Sequence, residues 1–201
     1  MSTDTSAPRA KRTDTKRTDT RRRMVVGAAK SIATGGVDAM SLRDLAVQAG
    51  VPLGSTYHHF PGGKAQLVDE AVQLIGAQVT TLIDEARTQG TDPVLRVFAD
   101  RWRRILESSG YAAGCPVVAA AVATDPRHHD VAREVFADWH ASLTAALADS
   151  GVPADRAGRL ARTVVAATEG AVALARAAGT SEPLDEVVEE LSSLVESARR
   201  R

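Results

Sequence analysis

The chain has 201 residues, enough for a substantial hydrophobic core, and its 25 Lys/Arg balance its 25 Asp/Glu. With a single cysteine, Cys115, it cannot form an intrachain disulfide, and it fits a reducing compartment. The N-terminal segment lacks the apolar run of a signal sequence, and no stretch approaches the roughly 18 apolar residues of a membrane span. We therefore expect a cytoplasmic protein that is neither secreted nor inserted in a membrane.

Charge is unevenly placed along the chain. Residues 1–64 hold 11 Lys/Arg against 5 Asp/Glu, whereas residues 65–201 hold 14 against 20. A basic N-terminal part suits phosphates, although a basic tail can also act only as a solubilising extension. Residues 1–18 offer too little apolar surface to offset backbone entropy, so we expect a disordered basic tail. The pentapeptide KRTDT occurs at 11–15 and 16–20; a phosphate-contacting arm and a neutral duplication both remain open.

The remainder of the chain shows helical periodicity and no strand-like alternation, which predicts an all-α fold of about nine helices. The second helix is capped by Ser41, with Asp44 three residues later, and is closed by Gly50. Pro52 suits the first turn of the third helix, where an amide hydrogen is not needed. The first three expected helices cover residues 19–36, 41–50 and 52–60. A long helix follows the break at 61–63, and its periodic pattern ends near residue 90. The remaining helices are expected at 92–109, 115–124, 127–149, 154–178 and 183–199.

Helices two and three, joined by a tight turn at Gly50, have the layout of a helix-turn-helix, in which the second helix of the pair enters the major groove of DNA. Ala46 is small enough for a close helix crossing, and Val51 can fill the seam between the helices. An ordinary helical corner has the same geometry. The layout by itself therefore leaves DNA binding open.

The exposed side chains around the third helix suit the DNA backbone, because hydroxyls, imidazoles and an ammonium can all bind phosphates. Leu53 at the tip of the helix can touch only a thymine methyl or a sugar, and Gly54 allows close backbone approach. We expect Phe60 to be a core residue. The polar groups belong to Ser55, Tyr57, His58, His59 and Lys64, and we count the basic lead-in Arg21-Arg22-Arg23 as part of the same unit.

The segment from Ser41 to Leu67 resembles the DNA-binding domain of the tetracycline-repressor (TetR) family. The resemblance covers about residues 21–74 by sequence and the rest by helical layout alone. The FPGGK form of the break after helix three, with Gly114-Cys115-Pro116-Val117 downstream, resembles the LmrA-like subgroup. The matching residues are Leu42-Arg43-Asp44-Leu45-Ala46, Ala49-Gly50-Val51, Gly54-Ser55, Tyr57-His58-His59-Phe60 and Lys64.

This resemblance implies a DNA-binding domain at residues 19–64 and a helical ligand-binding and dimerisation domain at 65–201. It implies a sequence-specific regulator, a repressor released from a palindromic operator by a small molecule, with no catalytic residues, metal or cofactor. Two positions depart from the family pattern: Thr56 replaces an aliphatic residue, and Pro52 replaces a Ser/Thr cap. The expected DNA-facing residues are Ser41, Arg43, Pro52, Leu53, Gly54, Ser55, Tyr57, His58 and Lys64.

The last two predicted helices are the candidate dimer surface. One helix-turn-helix reads only a few base pairs, so useful specificity needs two copies about 34 Å apart. The resemblance agrees, since such proteins pair these helices into a four-helix bundle, although intrachain packing must also use some of their apolar residues. The candidates are Leu160, Val164, Val165, Ala167, Ala171 and Val172, followed by Leu184, Val187, Val188, Leu191, Leu194 and Val195.

The middle helices carry most of the large residues and are the expected place for a ligand pocket, since small-molecule sites are apolar and often lie between helices. Plain core packing is the alternative for these aromatic side chains. The pocket candidates are Phe98, Trp102, Tyr111, Cys115 and Trp139. The sequence does not identify the ligand.

Two other functions, an enzyme and a helical adaptor, are alternatives to DNA binding. An enzyme could use Cys115, His128, His129 and Asp130, but their spacing matches no nucleophile and base pair or metal site. Adjacent histidines on a helix point about 100° apart, so we expect His128 and His129 to lie in a solvated helical turn. We expect Cys115 to be unreactive, because no charged neighbour in sequence lowers its pKa. A helical adaptor that uses the corner for protein contacts is the third possibility.

Overall fold

The computed structural model describes the backbone of residues 7–88 and 91–200, which form nine α-helices and no strand. The expected all-α fold is therefore confirmed for this part of the chain. Within it, the helices lack the long apolar run that crossing a bilayer would need. The helices are α1 Ala7–Ala39, α2 Leu42–Ala49, α3 Leu53–His59, α4 Gly63–Arg87, α5 Thr91–Ser108, α6 Pro116–Ala121, α7 Arg127–Asp149, α8 Ala154–Ala178 and α9 Glu182–Arg199.

The N-terminal boundary of α1 corrects the sequence analysis. The structure continues this helix back to Ala7, through a segment expected to be disordered, while residues 1–6 lie outside the described part. Pro8 falls in the first turn, where it is tolerated, and no glycine follows before Gly27, so nothing interrupts the helix that Met24 and Ile32 anchor in the core. The predicted break at Gly36 is present, since this residue has φ 80° and ψ 172°.

Both ends of α2 are as predicted. The amide of Asp44 donates to the Ser41 hydroxyl (3.3 Å), which satisfies one of the free amides of the first turn. Gly50 ends the helix in the left-handed region, with φ 68° and ψ 36°. A residue without a Cβ adopts this conformation at little cost, so the chain can turn sharply toward α3.

Helix α4 passes from the N-terminal helices into the centre of the molecule, where it packs most extensively on α7 and also on α1, α5 and α6. Gly76 lies at the crossing with α7: a Cβ added there would lie 2.6 Å from Val135 Cγ2. Trp139 of α7 donates its indole N–H to the Gly76 carbonyl (3.1 Å). The missing side chain at Gly76 therefore lets the two helices approach closely.

Helices α8 and α9 pack on each other and on α7 and α5 within one chain. Most side chains proposed for the dimer surface are buried within the single chain and belong to its core. The reason is that the apolar face of each helix packs against the other helices of the same chain. Leu194 remains exposed on α9, as does Leu174 on α8, which the sequence analysis did not name. The buried candidates are Leu160, Val164, Ala171, Val172, Leu184, Leu191 and Val195.

The prediction of a solvated turn was wrong for His128 and right for His129. His128 faces α4, is buried, and pairs through Nδ1 with Oδ1 of Asp69 (2.9 Å). His129 is exposed, and its Nε2 lies 3.0 Å from the Ala123 carbonyl oxygen. The two imidazoles thus have different partners, and in the described residues no three potential metal ligands cluster.

Thr56 generates a stability prediction. Its side chain is fully buried, and its hydroxyl has no hydrogen-bond partner in the described part of the chain. Because an unpaired buried hydroxyl is costly, Thr56→Val should raise the free energy of unfolding by about 1 kcal/mol. Thermal or urea unfolding at fixed protein concentration measures the change.

Thr144→Val is the matched control, since the Thr144 hydroxyl donates to the His140 carbonyl (2.7 Å). This control should give no increase in stability. A loss of stability in Thr56→Val as large as that in Thr144→Val would contradict the assignment of an unpaired hydroxyl.

Candidate nucleic-acid interface and internal cavity

Helix α3 has a buried side and an exposed side. Thr56 and Phe60 are fully buried, which confirms the core assignment of Phe60. On the opposite side Leu53 and Tyr57 keep 43% and 55% of their surface exposed, and His58 is also exposed. The helix therefore presents the side chains expected to face DNA while its other side is anchored.

The turn into α3 is held by the backbone. The amide of Val51 donates to the Ala46 carbonyl (3.0 Å), and the amide of Ser55 donates to the Pro52 carbonyl (2.9 Å). Pro52 occupies the N-cap and supplies no side-chain hydrogen bond. With Thr56 unpaired below it, α3 is seated by fewer polar contacts than α2.

The remaining predicted contact residues lie at the ends of the neighbouring helices. Ser41 caps α2 and is half-buried, while Arg43 in its first turn is exposed. Lys64, in the first turn of α4, donates its ammonium to the Asp38 carbonyl at the end of α1 (3.1 Å). Lys64 thus ties α4 to α1, besides placing a positive charge beside α3.

Arg21 has a structural role that the sequence analysis missed. Its guanidinium lies 5.2 Å from the centroid of the Phe60 ring and forms an ion pair with Glu70 (2.5 Å). Such stacking on an aromatic face combined with a carboxylate partner suits arginine. Arg21 of the Arg21-Arg22-Arg23 lead-in therefore joins α1 to α3 and α4.

A cavity of about 530 Å³ lies in the C-terminal part, against α1, α4, α5 and α7 and the N-terminal end of α6. Four of the side chains named from sequence line it: Phe98, Trp102, Cys115 and Trp139. Tyr111 does not, because it lies in the loop after α5 with a positive φ of 63° and packs half-buried on the core. The volume is in the range of small-molecule sites.

Cys115 and Glu169 meet beside this cavity. Burial raises the pKa of the Cys115 thiol well above its ordinary value, and the neighbouring Glu169 carboxylate raises it further, so the thiol stays protonated. Burial also raises the pKa of Glu169 to about 7, although hydrogen bonding from Cys115 opposes the rise. The Oε1 atom of Glu169 has no hydrogen-bond partner among the described residues. The expectation of an unreactive Cys115 agrees with this environment.

The polar lining of the cavity was not predicted. Lys30, Gln78 and Arg101 line it from three different helices. The guanidinium of Arg101 donates to Gln78 Oε1 (3.1 Å), and burial followed by the proximity of Arg104 lowers its pKa. These residues are far apart in sequence, and nothing in their local pattern distinguishes them from solvent-exposed helix positions.

A short capped helix that seats a second helix with a polar outer side is the arrangement found in helix-turn-helix DNA-binding proteins. Residues 25–71 match the family model described as bacterial regulatory proteins, tetR family. Residues 93–190 match the model described as transcriptional regulator LmrA/YxaF-like, C-terminal domain. An uncharacterised HTH-type transcriptional regulator of Mycobacterium tuberculosis is 38% identical over 183 residues, which cover 87% of this chain and 93% of that protein.

The HTH-type transcriptional regulator LmrA of Bacillus subtilis is 26% identical, covering 83% of this chain and 91% of that protein. A TetR transcriptional regulator structure from Chloroflexus aurantiacus superposes with a TM-score of 0.75 at 26% identity, covering 90% of this chain and 96% of that one. The chain therefore belongs to the TetR family of transcriptional regulators and has an LmrA/YxaF-like C-terminal domain. Proteins of this family are DNA-binding regulators and not enzymes.

The raised pKa of Glu169 generates a prediction about pH. The unfolded chain loses this proton near the ordinary glutamate value of 4.5, whereas the folded chain keeps it until about pH 7. Stability should therefore fall as pH rises between these values, by an amount on the order of 3 kcal/mol. Glu169→Gln should remove this component and be more stable than the parent at pH 8.

Urea unfolding at pH 4 and pH 8, at one protein concentration, checks this expectation. Glu196→Gln is the matched control, because Glu196 is an exposed residue paired with Arg200. If Glu169→Gln and the parent lose the same stability between the two pH values, the carboxyl of Glu169 does not have the raised pKa.

Proposed function

We propose that this protein is a homodimeric repressor that binds a palindromic DNA operator through α3 and releases it when a small molecule occupies the internal cavity. The observation that carries the proposal is the two-sided α3, with Phe60 buried on one side and Leu53 and Tyr57 exposed on the other. An exposed helix of this composition, seated on a capped partner helix, suits insertion in the major groove.

The exposed side chains divide into two roles. Tyr57 and His58 offer polar groups to phosphates, as do Ser41, Arg43 and the ammonium of Lys64 at the neighbouring helix ends. Leu53, Gly54 and Ser55 lie at the N-terminal end of α3, which approaches base edges in this motif, and Pro52 precedes them. Because Leu53 and Gly54 offer few hydrogen bonds, we infer that phosphate geometry and half-site spacing carry much of the specificity.

Dimerisation through α8 and α9 gives the two copies of α3 that a palindrome requires. Leu174 of α8 and Leu194 of α9 leave 60% and 38% of their surface uncovered within one chain, so a partner subunit has apolar surface to cover on both helices. Val187 and Val188 of α9 are partly buried. These residues, and not the buried ones, are the contacts we infer for the partner subunit.

Release of DNA follows from the position of the cavity. Its wall includes Ala29 and Ala33 of α1, which packs on α2, and Ile75 and Val79 of α4, which follows α3 directly in the chain. A ligand that needs more room moves α1 or α4, and the Lys64 contact to Asp38 couples the end of α1 to the first turn of α4, directly after the end of α3. The DNA-bound and the ligand-bound conformations then differ in the distance between the two α3 helices of the dimer.

Selection of sites from random DNA duplexes with the purified full-length protein tests the proposal. We expect a palindrome whose half-sites lie about one helical turn apart, bound with an affinity that falls steeply with salt. Enrichment of no palindromic site would refute the proposal.

Substitutions in the protein, tested on the selected DNA site, separate phosphate contacts from contacts to bases. Tyr57→Phe should weaken binding about three- to tenfold on specific and unrelated duplexes alike, and Lys64→Ala should lower the salt slope by about 1 per half-site. Leu53→Ala should instead change the preferred bases. Fluorescence anisotropy measures all three, with Arg104→Ala as the control because this exposed residue lies on α5, outside the helix-turn-helix. Equal effects of all three substitutions on every duplex would contradict these roles.

A further inference from the structure

The charged side chains that line the internal cavity are all positive. Lys30 of α1 and Arg101 of α5 belong to the lining, and of the described residues no aspartate or glutamate does. The other polar side chains in this lining are neutral: hydroxyls, the Gln78 amide, the Cys115 thiol and the two indoles. The cavity therefore combines an apolar wall with positive charge.

Among the described residues, Arg101 lacks the carboxylate partner that a half-buried guanidinium normally has. Its hydrogen bond goes to the neutral Gln78 Oε1 (3.1 Å), and among the described residues no carboxylate lies within 4.0 Å of it. Arg103, two residues later on the same helix, pairs instead with Asp100 and Asp185, both at 2.5 Å. The guanidinium of Arg101 thus keeps its capacity for a bidentate anion contact.

The apolar wall is suited to planar rings. Trp102, Trp139 and Phe98 line the cavity together with Ile75 and Ile105. Aromatic side chains prefer offset-stacked or edge-to-face contacts with other rings; Phe136, for example, meets Trp139 edge-on at 5.5 Å. A volume of about 530 Å³ accommodates a molecule of two or more rings.

We propose that the ligand of this cavity is an aromatic molecule of two or more rings bearing an anionic group, with the anion held by Arg101 and Lys30 and the rings held among Trp102, Trp139 and Phe98. This inference rests on the proposed function, in which the cavity is the ligand site. The anion neutralises a guanidinium that otherwise has only an amide partner, which favours an acidic ligand over a neutral or basic one of the same shape.

Three probes of one shape test the charge preference: biphenyl-4-acetate, its amide, and 2-(biphenyl-4-yl)ethylammonium. The chain has two tryptophans, and both line the cavity, so intrinsic fluorescence reports binding at this place. We expect the acetate to bind about tenfold or more tightly than either analogue. A charge-assisted hydrogen bond from Arg101 to the carboxylate accounts for a difference of this size.

Two variants of the full-length protein identify the group responsible. Arg101→Met removes the cation, and Gln78→Glu places a carboxylate within reach of the Arg101 guanidinium while both side chains keep their length. Each should abolish the preference for the acetate, whereas Arg104→Met, which removes an exposed cation from the same helix, should retain it. Gln78→Glu keeps the test valid if Arg101→Met does not fold.

Equal binding of the amide or the ammonium probe, no binding of any probe, or a preference that survives Gln78→Glu would each overturn the proposed ligand class. Binding of the parent protein to its selected duplex is measured in the same samples without any probe. A failure of the ligand class therefore leaves DNA binding intact, whereas a failure of the proposed function appears as absence of a specific duplex.

Discussion

The close crossing of α4 and α7 at Gly76 is the contact on which the rest of the structure depends. The missing Cβ brings the helices together against Val135, and the Trp139 indole N–H binds the Gly76 carbonyl at the same place. Residues on both sides of Gly76, Ile75 and Gln78 among them, form part of the cavity wall. One turn of α4 thus sets both the helix spacing in the core and the shape of the cavity.

Helix α4 also fixes the position of α3, the helix proposed to enter the major groove. Helix α4 begins three residues after the buried Phe60, its Lys64 holds the end of α1, and its Glu70 pairs with the Arg21 that stacks on Phe60. The position of α3 therefore depends on α4, because Phe60 at the end of α3 is held through Arg21 and Glu70 of α4. Because packed helices shift between discrete arrangements more readily than they deform, we infer that a small displacement near the cavity is carried to α3 as a rigid movement.

Local signals allowed the helices and the helix-turn-helix to be predicted from sequence. Ser41, Gly50 and Pro52 act through backbone geometry within a few residues, so their roles were visible without the fold. Three of the four aromatic candidates line the cavity, whereas its polar lining was not predicted. Arg21, Arg101 and the buried His128 were missed or misassigned because their environments come from distant partners, Glu70, Gln78 and Asp69. The start of α1 was misplaced because a polar composition predicts low stability but does not stop a helix already anchored in the core.

The central claim, that the α4–α7 crossing sets the position of α3, is tested most directly by a distance across the proposed dimer. Spin labels at Val47→Cys on the exposed side of α2 report it by pulsed electron paramagnetic resonance, since the buried Cys115 thiol, with its raised pKa, does not compete for label. In a folded dimer, adding Gly76→Ala should shift the mean label-to-label distance, because the new methyl group pushes α4 away from Val135. An unchanged distance distribution in that dimer would contradict the account.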